Sequence, residues 1–169
     1  MGVTRLNHAV LYVRDLDESV GFYNRVLGFE PVMQMRGAAF LQAPDSNNDH
    51  DLGLFELGAQ AGASEAGRST VGLYHLAWEV DTLQTLAEIA ERLQAENALV
   101  GATDHGTTKA LYGRDPNGIE FEVCWLVPAE FVDEDLLESR KMLRRLDIAA
   151  EIERYGADTR GGIGISVPA

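Results

Sequence analysis

The sequence predicts an α+β fold with two tandem βαβββ units and a C-terminal helix. Two parts of the chain, which start at residues 5 and 72, share one pattern. In each, a segment with alternating apolar residues is followed by a segment whose apolar residues have helical spacing. Three short apolar segments, with turn-forming residues between them, follow each pair. This order indicates one internal duplication. We assign it to a domain at residues 1–128, with unit one at 5–58, a linker at 59–71 and unit two at 72–127.

Unit one begins with a strand at residues 5–13, because apolar side chains alternate there. Period two places His8 on one face with Leu6, Val10 and Tyr12, and leaves the opposite face apolar enough to pack against helices. A helix is predicted from Leu16 to Gly28, where the glycine ends it. Three further strands are predicted at 29–37, 38–44 and 51–58.

Unit two repeats this order, with a strand at 72–80, a helix at 82–97 and strands near 99–104, 107–113 and 119–126. Residues 129–155 are predicted to form a charged helical extension, because apolar residues recur at helical spacing. Such a stripe packs on its own domain or on a partner subunit. Residues 156–169 are rich in glycine, and we expect them to form a flexible tail.

Charge and composition narrow the class of partner. The net charge of −13 disfavours nucleic acid and anionic membrane surfaces, so a small organic substrate is expected. The single cysteine, Cys124, excludes an intramolecular disulfide, and no apolar run approaches the roughly 20 residues of a membrane span. The first residues lack the pattern of a signal peptide, which predicts a cytoplasmic protein.

The segment from Thr103 to Glu122 concentrates side chains that carry chemistry. Asp115 to Gly118 predict a tight turn, which places Tyr112 and Glu122 on neighbouring strands that face one cavity. Glu120 lies on the same face of its strand as Glu122, so either carboxylate could be the functional one. Taken singly, a tyrosine such as Tyr112 is more often a core or rim aromatic, and Glu122 could be a solvated strand carboxylate.

The four histidines all lie in or beside predicted strands. His8 and His75 occupy comparable places in the two units, so the duplication would bring them together, although a lone histidine in a strand is usually structural. Two imidazoles and a carboxylate suit non-haem Fe(II), because neighbouring coordination positions stay open for substrate and oxygen. Fe(II) bound by one carboxylate keeps about one positive charge, which would favour binding of an anionic catecholate.

These motifs resemble the vicinal oxygen chelate superfamily of glyoxalases, bleomycin resistance proteins and dioxygenases, over residues 5–127. Within it the sequence is similar to type I extradiol ring-cleavage dioxygenases of the catechol 2,3-dioxygenase kind. The signature of these enzymes is matched by His105, by Leu111-Tyr112, by the turn Asp115-Pro116-Asn117-Gly118 and by Glu122. The match favours Glu122 over Glu120. The resemblance implies a curved, partly closed mixed sheet around a metal site.

The resemblance also implies roles for individual residues. His8, His75 and Glu122 would bind Fe(II), which Mn(II) could replace. His50 would act as acid and base, while His105 and Tyr112 would hydrogen-bond the substrate. The expected reaction is ring opening of a catechol by O2 in aromatic compound catabolism. Many members of this family carry two duplicated domains, so a single one predicts that a C-terminal helix or another subunit of a homo-oligomer completes the pocket.

Two other functions fit the same scaffold. A glyoxalase I-like lyase or isomerase needs a fourth protein ligand to a redox-inert metal, and Glu56 is a candidate for it. A metal-free protein that binds an aromatic compound or an antibiotic would not need His8, His75 and Glu122 together.

Overall fold

Two mixed β-sheets form the framework, and they confirm the predicted α+β class. The structure is a computed structural model that describes residues 2–67 and 69–162. The chain divides into two compact units. Of the described residues, unit 1 holds those between 2 and 70 together with the turn Asp115–Ile119, and unit 2 holds Val71–Arg114 and those between 120 and 162.

Unit 1 has a four-stranded sheet in the order β1-β4-β3-β2, in which β1 and β4 are parallel and the other neighbours antiparallel. Its helix α1 begins where the Asp15 side chain accepts a hydrogen bond from Glu18 N, and it ends at Gly28, whose φ is 74°. The elements are β1 (Ala9–Val13), α1 (Leu16–Leu27), β2 (Glu30–Met35), β3 (Ala38–Gln42) and β4 (Leu52–Glu56).

The faces of β1 follow the predicted alternation. Leu11 and Val13 are buried, whereas Val10 and Tyr12 are 51% and 69% exposed. The core of unit 1 therefore forms on the apolar face, where α1 and the sheet contribute buried side chains that include Phe22, Val26, Ala39, Leu41 and Leu54.

Unit 2 repeats the strand order of unit 1, as the internal duplication predicts. Its sheet runs β5-β8-β7-β6-β9, and β5 and β8 are parallel like β1 and β4. The Thr82 side chain accepts a hydrogen bond from Thr85 N and so begins α2. The elements are β5 (Leu76–Glu79), α2 (Leu83–Ala95), β6 (Leu99–Asp104), β7 (Thr108–Arg114), β8 (Glu120–Leu126) and β9 (Arg144–Arg145).

The C-terminal extension predicted at 129–155 contains helices, but they are two short helices with a strand between them. A 3₁₀ turn at Ala129–Phe131 is followed by α3 (Glu134–Ser139), β9 and α4 (Ile148–Tyr155). Asp133 and Asp147 each accept a hydrogen bond from a backbone N–H three residues ahead, so two separate helices begin there. Between them β9 pairs with the edge of β6, which helical spacing does not reveal.

The first residues of the predicted flexible tail make hydrogen bonds to β8. Residues 156–162 pack on β8 within unit 2, where Trp125 Nε1 donates to Thr159 O at 3.1 Å and Gly162 N donates to Leu126 O at 2.9 Å. Residues 163–169 lie outside the described part of the chain. None of the helices that the structure describes is long and apolar enough to cross a membrane.

Candidate metal centre and its neighbours

The parallel strands β5 and β8 bring an imidazole and a carboxylate into contact in unit 2. Ala77 pairs with Glu122, and His75 lies one residue before β5, rather than inside the first strand as predicted. His75 Nε2 is 3.1 Å from Glu122 Oε2. On the other side of β8, Tyr112 of β7 pairs directly with Glu122, which confirms the predicted cross-strand arrangement.

The His75 and Glu122 pair has donor chemistry that fits a divalent transition metal. Two donor atoms each about 2.1 Å from an ion and about 90° apart are themselves about 3.0 Å apart. The observed 3.1 Å is close to that separation. Within residues 2–67 and 69–162 no group of three His, Cys, Asp or Glu side chains has metal-binding geometry. The three-ligand set with His8 therefore stays a prediction.

Glu120, the competing carboxylate, has a different partner. Its Oε2 lies 3.3 Å from Arg114 Nη2 across the β7–β8 ladder. An ion pair satisfies this carboxylate, whereas Glu122 is paired with an imidazole. The geometry agrees with the choice of Glu122 over Glu120.

Tyr112 and His105 form a hydrogen-bonded pair next to His75. His105 Nε2 is 3.0 Å from Tyr112 Oη, and the rings of His75 and Tyr112 lie 5.6 Å apart. Burial raises the pKa of Tyr112, and the charge of Glu122 and a hydrogen bond to it raise that pKa further. The phenol is therefore protonated at neutral pH and can serve as a hydrogen-bond donor.

In unit 1 the corresponding parallel strands bring His8 and His50 together. Ala9 pairs with Leu52, and Ala9 N donates to Asp51 O, so the residues just before β1 and β4 are neighbours. The two imidazole rings lie 4.6 Å apart. His8 Nδ1 is 2.8 Å from Asn7 Oδ1. Because an amide oxygen accepts, Nδ1 carries the proton and Nε2 keeps the lone pair that a metal ligand needs.

His50 is paired with an acidic neighbour. Its Nδ1 lies 3.1 Å from Asp49 Oδ2, and this hydrogen bond lowers the pKa of Asp49. An imidazole held by a carboxylate through one nitrogen presents the other nitrogen for proton transfer. Sequence reasoning identified His50 but not this partner, although the two residues are adjacent in the chain.

Glu56, the candidate fourth ligand, contacts the start of α1. Its Oε2 accepts a hydrogen bond from Leu16 N at 3.1 Å. Along β4 it alternates with Phe55 and shares a face with the buried Leu54. Its observed partner is therefore a helix N-terminus, and the contact gives no support to metal binding by Glu56.

Sequence reasoning missed Asp51, which shapes the loop before β4. This buried carboxylate accepts hydrogen bonds from Ala43 N, Ser46 Oγ and Asn48 Nδ2, at 2.8, 2.8 and 2.7 Å. The network fixes the loop that carries His50. A polar loop with aspartate and asparagine is a weak signal for it, because such residues also occur in loops without a network.

Comparisons with known proteins identify one superfamily and several relatives of this chain. The sequence profile of the Glyoxalase/Bleomycin resistance protein/Dioxygenase superfamily matches residues 5–123. A catechol-2,3-dioxygenase of Bacillus subtilis (strain 168) is 33% identical over 119 residues, which cover 69% of this chain and 40% of that protein. A manganese-dependent 2,3-dihydroxybiphenyl 1,2-dioxygenase of Geobacillus genomosp. 3 is 27% identical over 127 residues, which cover 73% of this chain and 37% of that protein.

One further relative is not named as a dioxygenase, and a separate protein of known structure has a similar fold. Glyoxylase I 4 of Arabidopsis thaliana is 24% identical over 125 residues, which cover 72% of this chain and 71% of that protein. A glyoxylase/bleomycin resistance protein/dioxygenase domain of Frankia sp. EAN1pec has a similar fold, with a TM-score of 0.59 and 23% identity over 73% of this chain and 92% of that chain. The chain spans about two fifths of the length of the two dioxygenases.

Proposed function

Because the chain belongs to the Glyoxalase/Bleomycin resistance protein/Dioxygenase superfamily, we propose that it is a metal-dependent extradiol dioxygenase that opens the ring of a catechol with O2. One observation carries this proposal. The His105 and Tyr112 pair, at 3.0 Å, lies beside the His75 and Glu122 pair, at 3.1 Å, in one unit. Proton-handling groups next to a metal-binding pair are what this reaction needs. The dioxygenase names of two relatives support the same reaction class.

The proposed ligands are His75 and Glu122 together with His8. The bound ion, Fe(II) or Mn(II), would supply positive charge that favours the catecholate and a redox centre for the chemistry of O2. The name of the Geobacillus relative includes manganese, which supports Mn(II) as a second candidate. His8 fits the role because Asn7 holds its Nδ1 and leaves Nε2 available.

The chain's own residues would handle the protons of the reaction. Tyr112 Oη, hydrogen-bonded to His105 Nε2, would bind a substrate oxygen and orient the ring. His105 would receive or return a proton through this contact. His50, whose Nδ1 is held by Asp49, would act as acid and base at its Nε2. Both atoms of O2 enter the product, so no external reductant is needed.

The glyoxalase-like alternative is a lyase or isomerase with a redox-inert metal. The relative named glyoxylase I supports it. It gains nothing from Glu56, which bonds to Leu16 N, and it does not use the His105 and Tyr112 pair.

Assembly as a homo-oligomer and a cytoplasmic location stay predictions.

The test of the proposed function is anaerobic loading with Fe(II) or, separately, Mn(II), followed by air and a panel of substituted catechols. We expect oxygen uptake and a yellow ring-opened product. Tyr112→Phe should keep the bound metal and slow turnover by roughly 10² to 10⁴-fold, because a positioned proton-handling group contributes about that much.

Two outcomes would overturn the dioxygenase proposal, and a third would change only the role of Tyr112. Metal binding without oxygen uptake across the panel, together with turnover of a methylglyoxal and thiol adduct in the presence of Ni(II) or Zn(II), would establish the lyase. Failure to bind any of these ions would favour a metal-free binding protein. An unchanged rate in Tyr112→Phe would remove Tyr112 from the mechanism.

A further inference from the structure

A lysine is fully buried in unit 2, inside the sheet that carries Tyr112 and Glu122. Lys109 of β7 is 0% exposed. Its Nζ lies 2.6 Å from Asp104 Oδ1 and 3.1 Å from Glu151 Oε2 of α4. A buried ammonium persists only when carboxylates and hydrogen bonds compensate for its lost hydration. Lys109 therefore ties the β6–β7 hairpin to α4.

The same hairpin carries His105. Asp104 and Lys109 lie on either side of its turn, and Asp104 Oδ1 also accepts a hydrogen bond from Gly106 N at 2.8 Å. Inside the turn His105 N donates to Thr108 O at 2.9 Å. The Asp104 carboxylate thus holds both the backbone N–H that follows His105 and the Lys109 ammonium near the start of β7.

The C-terminal segment contacts this turn at two further places. Gly106 has a φ of +79°, and a Cβ added there would lie 2.5 Å from Ser139 Oγ of α3 and 3.1 Å from Leu136 O. On the edge of β6, Arg145 of β9 pairs with Thr103. The C-terminal segment therefore contacts the hairpin through β9 at the edge of β6, through α3 at the turn and through α4 at Lys109.

We propose that Glu151, acting through Lys109 and Asp104, is a positioning residue for His105. Its effect on turnover rests on the proposed dioxygenase function, whereas its effect on the His105 ring does not. When the charge of Glu151 is removed, Lys109 has one carboxylate partner instead of two. The Asp104 oxygen, which also holds Gly106 N, then shifts toward the Lys109 ammonium. His105 Nε2 then loses its 3.0 Å contact with Tyr112 Oη. A displacement of about 1 Å of a catalytic group can cost roughly 10²-fold in rate.

The test compares Glu151→Gln with Glu153→Gln, a matched control on the exposed side of the same helix. Histidine labelled with ¹³C at Cε1 gives four resonances for four histidines, and His105→Ala identifies the one from His105. We expect Glu151→Gln to shift the His105 resonance and Glu153→Gln to leave it unchanged. In the metal-loaded enzyme, Glu151→Gln should lower kcat roughly tenfold with the catechol KM within about twofold. Glu151→Asp should recover part of the loss.

An unchanged His105 resonance in Glu151→Gln would overturn the positioning role, whatever the activity. A wild-type protein without dioxygenase activity would overturn the proposed function, and the resonance comparison would still decide the role of Glu151. The double variant Glu151→Gln/His105→Ala should be as slow as His105→Ala alone, and a further loss would show that Glu151 does not act through His105. If Glu151→Gln does not fold, Glu151→Asp, which keeps the charge on a shorter side chain, should still shift the His105 resonance relative to wild type, and an unchanged resonance would overturn the positioning role.

Discussion

Glu122 and Glu120 lie two residues apart on one face of β8, and their different partners give a test at the scale of single residues. Glu122 pairs with the His75 imidazole and Glu120 with the Arg114 guanidinium. We expect Glu122→Gln to weaken Mn(II) binding by at least about 100-fold, because an amide is a poor ligand in place of a carboxylate. Glu120→Gln should bind Mn(II) nearly as wild type. Isothermal titration calorimetry measures both, and equal affinities would contradict the ligand assignment.

Tyr23 gives a second prediction at this scale, on the stability of unit 1 at high pH. Its Oη donates to Asp115 Oδ2 at 3.3 Å, and burial, followed by the charge of Asp115, raises its pKa well above 10. The folded protein therefore keeps this proton while the unfolded chain releases it. The contribution of Tyr23 to the free energy of unfolding is constant below about pH 10 and declines above it, by up to about 1.4 kcal/mol per pH unit.

We expect Tyr23→Phe to lower the free energy of unfolding at pH 7 by about 1 kcal/mol through the lost hydrogen bond. Asp115 keeps other donors, which include Asn117 N and Ile119 N at 2.9 and 2.8 Å. The difference between wild type and Tyr23→Phe should shrink above pH 10, because phenylalanine does not titrate. Urea unfolding between pH 7 and 11 measures it. A difference that stays constant across this range would show that Tyr23 ionises in the folded state as it does in the unfolded chain.

At the scale of elements, two glycines in the β6–β7 ladder separate packing from backbone effects. A Cβ added at Gly113 would lie 2.6 Å from Phe121 Cζ and 2.9 Å from Leu93 Cδ2, both of them core side chains. A Cβ added at Gly101 would lie 3.6 Å from Tyr112 Cδ2, an ordinary contact. We expect Gly113→Ala to destabilise unit 2 by about 1–3 kcal/mol, and Gly101→Ala to change its stability by less than about 1 kcal/mol.

Urea unfolding at neutral pH measures both glycine variants, and circular dichroism checks that the strands persist. Gly101→Ala is the control for backbone entropy, since it adds the same methyl group on the neighbouring strand. Equal destabilisation by the two variants would mean that Phe121 and Leu93 move aside without cost. The close approach of α2 and β8 at Gly113 would then not limit the packing of the sheet.

At the scale of the whole molecule, the net charge of −13 predicts a salt-dependent stability. Raising NaCl from about 20 mM to about 200 mM shortens the Debye length from roughly 20 Å to roughly 7 Å and screens repulsion among the carboxylates. We expect Tm to rise by about 2–4 °C, equivalent to about 1 kcal/mol for a chain of this length. Calorimetry at pH 7 measures it. The rise should be smaller at pH 5, and an equal rise there would point to a cause other than screening.

The sequence alone determined the elements of the two βαβββ units and one important contact of the candidate site. Alternation and helical spacing predicted both βαβββ units, because these signals depend on residues that are near in the chain. The turn at Asp115 to Gly118 also predicted that Tyr112 lies beside Glu122, since a hairpin sets its own register. The profile match at residues 5–123 confirms the predicted superfamily.

Only the tertiary structure decided which distant groups meet. The contacts of His8 with His50 and of His75 with Glu122 depend on parallel pairing between strands about 45 residues apart, which no local pattern encodes. Contacts between distant segments also explain why β9 interrupts the C-terminal extension and why Lys109 is buried against Glu151. Periodicity reports the face of an element that is apolar, whereas the partner on that face is set by the path of the whole chain.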